Sequence, residues 1–461
     1  MKLLNLSMEA LDNNELKRAG EYILQGIRKF QDASMYRKYA DVLHTLALKY
    51  ESQGDGVSAV KCYKQALLLC PTNSLILNNA GYCLIKQGDY TNAAVCFRKV
   101  LEQQPTNRNY LNNLAICLLK MGEMQEAVAL FEQVLAITPD DAVCRANWAK
   151  VLLRRGDLEN GFRENEWRMK KPGLCQKYYH SIFKKQLWQG ERFPGKRLLI
   201  HSEQGSGDII QFARYIPMIK KRDEQVVFST SKELMRLFAK LPGIDEIVEQ
   251  SDIALRNLSF DLVIPILSLP YIFRTNINSI PQPIPYIEPE SNNVDKWKQR
   301  IVQNGHLKVG IAWAAKMTDL HSQERSCGLL ALAPLLQCKN IDFYSLQKGE
   351  GAMQLLRSSQ DAIIDYTDSL HDFADTAALI ANLDLVITVD TSVAHLAAAM
   401  GKRVWMMLRF ISDWRWLIER EDSPWYPSMR LFRQTAIGDW AGVIDRIAEE
   451  LNKVVHCHKD F

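Results

Sequence analysis

The sequence predicts an α + α/β chain: an N-terminal α-solenoid of tandem helical hairpins, then a pair of Rossmann-like α/β units. Three observations lead there. Four kinds of residue recur at one 34-residue spacing through the first third of the chain. After about residue 190, β-rich runs alternate with helical stretches. Pro281, Pro283, Pro285 and Pro289 then split that alternation in two, as a stiff linker does.

The repeat is carried by Pro71, Pro105 and Pro139, by Gly54, Gly88, Gly122 and Gly156, by Tyr63, Phe97 and Phe131, and by Ala59, Ala93 and Ala127. Thirty-four residues is the tetratricopeptide (TPR) period. Each unit reads as a helix, a Gly-containing turn, a second helix and a proline stop. The alanines are small where two helices approach closely. The aromatic rings fill the groove between neighbouring hairpins, which cannot bury their apolar faces alone. Clear repeats span 40–73, 74–107 and 108–141. Residues 1–39 read as a degenerate capping unit. Residues 142–170 keep a first helix and Gly156-Asp157, then depart from the pattern, and Arg163 to Arg168 is expected to dock the array onto the α/β part of the chain. A TPR array over 1–170 is either a spacer or a groove for a protein partner, and the repeats alone leave both readings open.

A connector at 171–194 leads into the α/β part. Strands are expected at Arg197–His201, Gln225–Ser229, Phe260–Ile264, Lys308–Trp313, Ile341–Leu346 and Leu385–Val389. Helices are expected at 209–220, through Lys240, and near 292–303, 329–337, 372–382, 392–400 and 440–453. The two units are placed at 195–290 and 291–461. Ligands of open α/β sheets bind beyond the carboxyl ends of the strands, which directs attention to the loops after His201, Trp313, Leu346 and Val389.

Composition limits the function classes. In 461 residues, 57 Lys and Arg against 53 Asp and Glu leave a net charge of +4, too little for a nucleic-acid or membrane-surface protein. No stretch reaches the ~18 apolar residues of a membrane span, and no secretory signal is visible. The ten cysteines include no Cys-x-x-Cys pair. Cys62, Cys83, Cys96 and Cys117 read as buried thiols of a reducing compartment, so a cytoplasmic location is expected.

Five segments could carry chemistry. In Gln204-Gly-Ser-Gly-Asp208, Gly205 and Gly207 allow close backbone approach, and Asp208 either acts on a ligand or caps the next helix. It is no dinucleotide fingerprint, because Ile210 stands where a third glycine belongs. At Asp390-Thr391-Ser392-Val-Ala-His395 a strand gives way to a small-residue helix whose first N–H groups suit a phosphate, with hydroxyls from Thr391 and Ser392. Lys316 and Arg325 follow a strand and could meet a diphosphate, or be solvated. Gln347 leaves a strand end toward the cleft. Trp414, in Asp413-Trp-Arg-Trp416, could stack on a base or sugar, or pack in the core. No Asp-x-Asp triplet occurs, which argues against a sugar-nucleotide enzyme that works through a divalent metal. His456-Cys457-His458 lacks the partners of a metal site.

These strings resemble glycosyltransferase family 9, the heptosyltransferase-like group. The resemblance runs from about Gly195 to Ile447, through His201–Tyr215, Phe373–Asp384, Asp390–Ala398 and Asp413–Tyr426. The whole chain is similar to bacterial TPR proteins ending in such a domain. The resemblance implies a GT-B pair of domains, no metal or other cofactor, and an inverting transfer from a nucleotide-sugar. It makes Asp208 the general base, and Asp390, Thr391, Ser392 and His395 the holders of the departing diphosphate. Lys316 approximates the family's phosphate-contacting lysine. Repeats ahead of a two-domain sugar transferase also resemble, more loosely, the architecture of protein O-GlcNAc transferases, so a polypeptide or glycan acceptor presented by the array is expected. The alternative is a non-catalytic TPR scaffold with a degenerate transferase domain.

Overall fold

A computed structural model of the chain describes residues 2–29, 33–171, 186–220, 223–251, 255, 258–282, 284–316, 320–356 and 362–458. Most of the expected connector, residues 172–185, and Pro283 of the linker lie outside the described residues. The chain divides into two compact units, Met1–Trp148 and Ala149–Phe461.

The first unit is helical. Its helices are α1 (Lys2–Asp12), α2 (Leu16–Lys29), α3 (Ala33–Ser52), α4 (Gly56–Leu69), α5 (Ser74–Lys86), α6 (Tyr90–Gln103), α7 (Arg108–Met121) and α8 (Met124–Ile137). The helix α9 (Ala142–Arg154) crosses from the first unit into the second. The period has a local cause at each turn. Gly54, Gly88 and Gly122 all hold left-handed backbone (φ 79°, 78° and 92°), which a side chain would oppose. Asp55 and Asp89 then accept the Ser58 and Asn92 N–H at 3.0 and 3.2 Å and cap the second helix. Two residues after that helix ends comes the proline, and Asn73, Asn107 or Asp141 caps the next hairpin. Ala59, Ala93, Ala127, Tyr63, Phe97 and Phe131 are all buried. Each buried ring contributes about 1.5–3 kcal/mol. Burial pushes the thiols of Cys62 and Cys83 up to about 11 and that of Cys117 to about 12, so these sulfurs stay protonated packing atoms.

The second unit holds the rest of α9, then α10 (Leu158–Asn165), a 3₁₀ turn Glu166–Lys170 and two all-parallel sheets. The first sheet runs β1-β5-β2-β3-β4: β1 (Gln186–Leu187), β2 (Arg197–His201), β3 (Gln225–Thr230), β4 (Glu246–Glu249) and β5 (Leu262–Pro265). Its longer helices are α11 (Ser206–Phe212) and α12 (Lys232–Phe238). After α13 (Ser291–Arg300), the second sheet runs β11-β10-β9-β6-β7-β8. Its strands are β6 (Leu307–Ala312), β7 (Ile341–Ser345), β8 (Ile363–Ile364), β9 (Leu385–Val389), β10 (Val404–Leu408) and β11 (Met429–Arg433). The helices there are α14 (Phe373–Ala381), α15 (Ser392–Ala399) and α16 (Trp440–His458). Counted within that sheet, the order is 3-2-1-4-5-6, the doubly wound arrangement. The strands β9 and β10 are buried at every position, because helices cover both faces. The α + α/β class expected from the sequence therefore holds.

Two expected helices are broken, each at a proline. The stretch 209–220 is α11 followed by a 3₁₀ turn Ala213–Met218, since Pro217 has no N–H to donate and its ring crowds the preceding turn. Residues 329–337 form two short turns, Leu329–Leu332 and Ala333–Leu336, with Pro334 opening the second. Among the described residues no helix is long and apolar enough to cross a membrane.

Candidate functional site

Each sheet reverses its strand order once, and ligands of such sheets sit at that reversal. In the first sheet the reversal lies between β2 and β5, in the second between β6 and β9. The loop after β2 carries Gln204–Asp208, and the turn after β9 carries Asp390–Ser392.

These two loops meet. A Cβ added to Gly207 would lie 2.9 Å from the His395 ring and 3.5 Å from the Ser392 Cα. Only glycine lets the start of α11 close on the start of α15. At Gly205 an added Cβ would make ordinary contact with Asp208, so space does not demand that glycine. Gly207→Ala is expected to cost about 1–3 kcal/mol in urea unfolding, because the His395 ring cannot retreat. Its Nδ1 is 3.0 Å from the Tyr426 hydroxyl, and Trp416 covers one side with ring centres 5.4 Å apart. An unchanged midpoint would show that the helices can shift.

Asp208 lies in the first turn of α11. One carboxylate oxygen accepts the Gly205 N–H at 3.1 Å. The other accepts from Arg415, whose guanidinium also donates to Asp413 at 2.8 Å and to the Gln211 side chain. Burial raises the Asp208 carboxyl above the ordinary range and outweighs the opposing Arg415 charge. Asp413 goes the other way: burial would raise it, but Arg415 holds it below the ordinary range. Gln204 (φ 64°) and Leu417 (φ 54°) hold left-handed backbone near this ion pair, a strain of about 1 kcal/mol or more each.

Asp390 closes β9, buried, and accepts the Trp416 indole N–H at 3.0 Å. Burial first, and Asp413 second, raise its carboxyl. Arg325 donates to the Asp390 carbonyl at 3.3 Å. The Thr391 hydroxyl lies 3.1 Å from that of Thr388, and it does not cap α15. Burial, with Arg415 next, drives His395 down to about 3, so it is neutral and brings no positive charge.

The other expected residues make different contacts, and of them Trp414 lies under the Arg415 guanidinium, 4.4 Å from its ring centre. Lys316 is exposed beyond the end of β6. The Gln347 side-chain oxygen accepts the N–H groups of Trp313 and Ala314 at 3.0 and 2.8 Å, so Gln347 holds the loop after β6 from beneath. Trp414 packs edge-on against Phe162 of α10 and against Trp425, with ring centres 5.6 and 5.9 Å apart. Sequence reasoning missed Arg415 as the partner of Asp208. It also missed the cations near Asp413 and Asp390: Arg409 after β10, and Arg154 of α9. Among the described residues, no group of three or more His, Cys, Asp or Glu side chains gathers as a metal site.

Comparison with known proteins matches two family models. "Cilia and flagella-associated protein 70 middle TPR-like domain" matches residues 43–164, and "Glycosyltransferase family 9 (heptosyltransferase)" matches residues 360–406. The helical repeats are thus similar to a TPR-like array, and a short segment of the second sheet is similar to glycosyltransferase family 9. The family 9 match contains Asp390, Thr391, Ser392 and His395, whereas Asp208 and Arg415 lie outside it. Protein FlbA of Caulobacter vibrioides is 26% identical over 291 residues, 57% of this chain and 48% of FlbA. The chain thus spans about half the length of the curated relative it matches. Among solved structures, ADP-heptose LPS heptosyltransferase II of E. coli is similar over 57% of this chain and 99% of its own (13% identity, TM-score 0.43). MamA of Desulfovibrio magneticus RS-1 is similar over 36% of this chain and 92% of its own (16% identity, TM-score 0.30).

Proposed function

We propose that the family 9 domain transfers a sugar, with inversion and without a metal, from a nucleoside-diphosphate donor to a polypeptide or glycan acceptor recruited by the repeats. The observation that carries this reading is the meeting of Gly207 with α15, which puts Asp208 and an uncapped helix N-terminus at one place. In the proposed step Asp208 takes the proton of the acceptor hydroxyl. That oxygen bonds to the anomeric carbon from the face opposite the diphosphate, and the bond from carbon to the diphosphate oxygen breaks. A single displacement inverts the centre. The leaving diphosphate carries away the electron pair, and its charge meets the first N–H groups of α15 with Arg325 nearby. Arginines in that role ask for no divalent ion, in keeping with the absence of an Asp-x-Asp triplet. Free buried thiols fit a reducing cytoplasm.

One observation favours the scaffold reading: both Asp208 oxygens already have partners, as in a purely structural helix cap. A thermal-shift panel of UDP, GDP, ADP, CDP and dTDP separates the two. A diphosphate at about 100 times its Kd should add about 2.7 kcal/mol to apparent stability. No response to any of the five would sink the transferase reading and leave the scaffold.

A further inference from the structure

The helix α10 runs directly into the 3₁₀ turn Glu166–Lys170. Arg168 in that turn is only 8% exposed. Its guanidinium grips Glu203 with two prongs, Nη2 to Oε1 at 2.6 Å and Nε to Oε2 at 3.2 Å. It also donates to Glu166 at 2.6 Å and to the Ser268 hydroxyl at 2.8 Å, and that hydroxyl donates to Glu166 at 2.8–2.9 Å. A buried network satisfied this fully rigidifies what it joins. Glu203 belongs to the loop after β2, and Ser268 lies in the turn after β5. These two strands flank the reversal of the first sheet, with His201 in register with Pro265. After Glu203 come Gln204 in left-handed backbone, Gly205 and then Asp208, which accepts the Gly205 N–H. Phe162 of α10 adds edge-on contacts to Phe212, Trp414 and Trp425.

We infer that Arg168 is a positioning residue: its two-pronged bond to Glu203 fixes the Glu203–Asp208 loop and so aims the Asp208 carboxylate. The second helix and tail of the last repeat hairpin thereby complete the transferase site. This rests on reading Asp208 as the base. A planar fork suits the task, since a lysine can meet Glu203 only as a point charge.

Arg168 should also set the pH at which Asp208 works. Asp208 faces Arg415 and Asp413 from the Asp413–Trp416 turn and the Gly205 N–H and Glu203 from its own loop, while the neutral His395 ring of α15 lies against Gly207. The Glu203 charge favours proton retention on Asp208, and Arg168 covers that charge.

The test uses the full chain as wild type, R168K, R168Q and E203Q. Sugar release or transfer from nucleotide-sugars of the bases that bind is measured across pH, together with hydrogen exchange of the 203–209 amides. R168K should lower kcat about 10- to 100-fold with donor KM within about twofold. Exchange should quicken at 203–209 but not in β6 to β9. The acid limb of the rate should move to higher pH in R168Q, where Glu203 is left uncovered, and to lower pH in E203Q. Wild-type kcat and exchange in R168K would overturn the inference. So would a loss spread over the whole chain with no movement of the limb. A wild-type chain that transfers nothing, while R168K quickens exchange at 203–209, would keep the clamp and remove the base reading alone.

Discussion

Asp208→Asn is expected to lower sugar transfer by about 10²–10⁴-fold while nucleoside-diphosphate affinity stays within about twofold. The amide keeps the size of the side chain and one of its two acceptor positions, for Gly205 or for Arg415, but it cannot take a proton from a hydroxyl. Steady-state rates paired with calorimetric titration of the diphosphate check both halves. Wild-type turnover in the variant would leave Asp208 as a helix cap. The pH dependence comes from the same environment. Burial holds the Asp208 carboxyl above the ordinary carboxylate range, with Arg415 opposing. Only the ionised form is a base, so kcat/KM falls as pH drops through that raised value. The acid limb should lie above the pH of an exposed aspartate and be absent from any residual rate of the variant.

Arg415→Met is the costliest single change we expect for stability, about 3–5 kcal/mol at pH 8. The methionine fills part of the space over Trp414, where the guanidinium now stacks 4.4 Å from the ring centre. It cannot compensate Asp208 and Asp413, both of which bond to Arg415. Two acids would face each other without their cation. Their folded-state pKa values would rise above the unfolded ones, so the penalty is full at high pH and relieved as protonation proceeds on acidification. Urea unfolding at pH 8 and pH 5 should give a clearly smaller loss at pH 5. Equal losses would mean that packing, and not charge, is what Arg415 supplies.

Much of this architecture is written locally in the sequence. A turn glycine, an aspartate cap and a proline stop at fixed offsets leave each hairpin few alternatives. The strands β2, β6, β7 and β9 read directly, because parallel strands covered on both faces are short continuous apolar runs. The strands β4, β10 and β11 escaped: Glu246–Glu249 has only two apolar residues between two glutamates, and Val404–Leu408 is rich in methionine and tryptophan. The site was legible only in halves. Gly207 and His395 each stood out from their own neighbours, but their contact depends on how two sheets pack. Arg415 reaches Asp208 across 207 residues, a separation that no periodicity encodes. Gln347 shows the converse, since a polar residue at a strand end looks like a ligand contact until its oxygen is found holding two backbone N–H groups.

The helix α9 has an evolutionary consequence. It crosses the division at Trp148 and Ala149, and the residues after it hold the loop that carries Asp208. Stacked repeats depend on their nearest neighbours alone. Duplication or loss of a 34-residue unit before Ala142 therefore leaves the contacts of Phe162 and Arg168 intact. Recombination after Ala142 breaks them. The array can therefore change length at one end without touching these contacts, whereas the final hairpin and the α/β part must stay together to keep them.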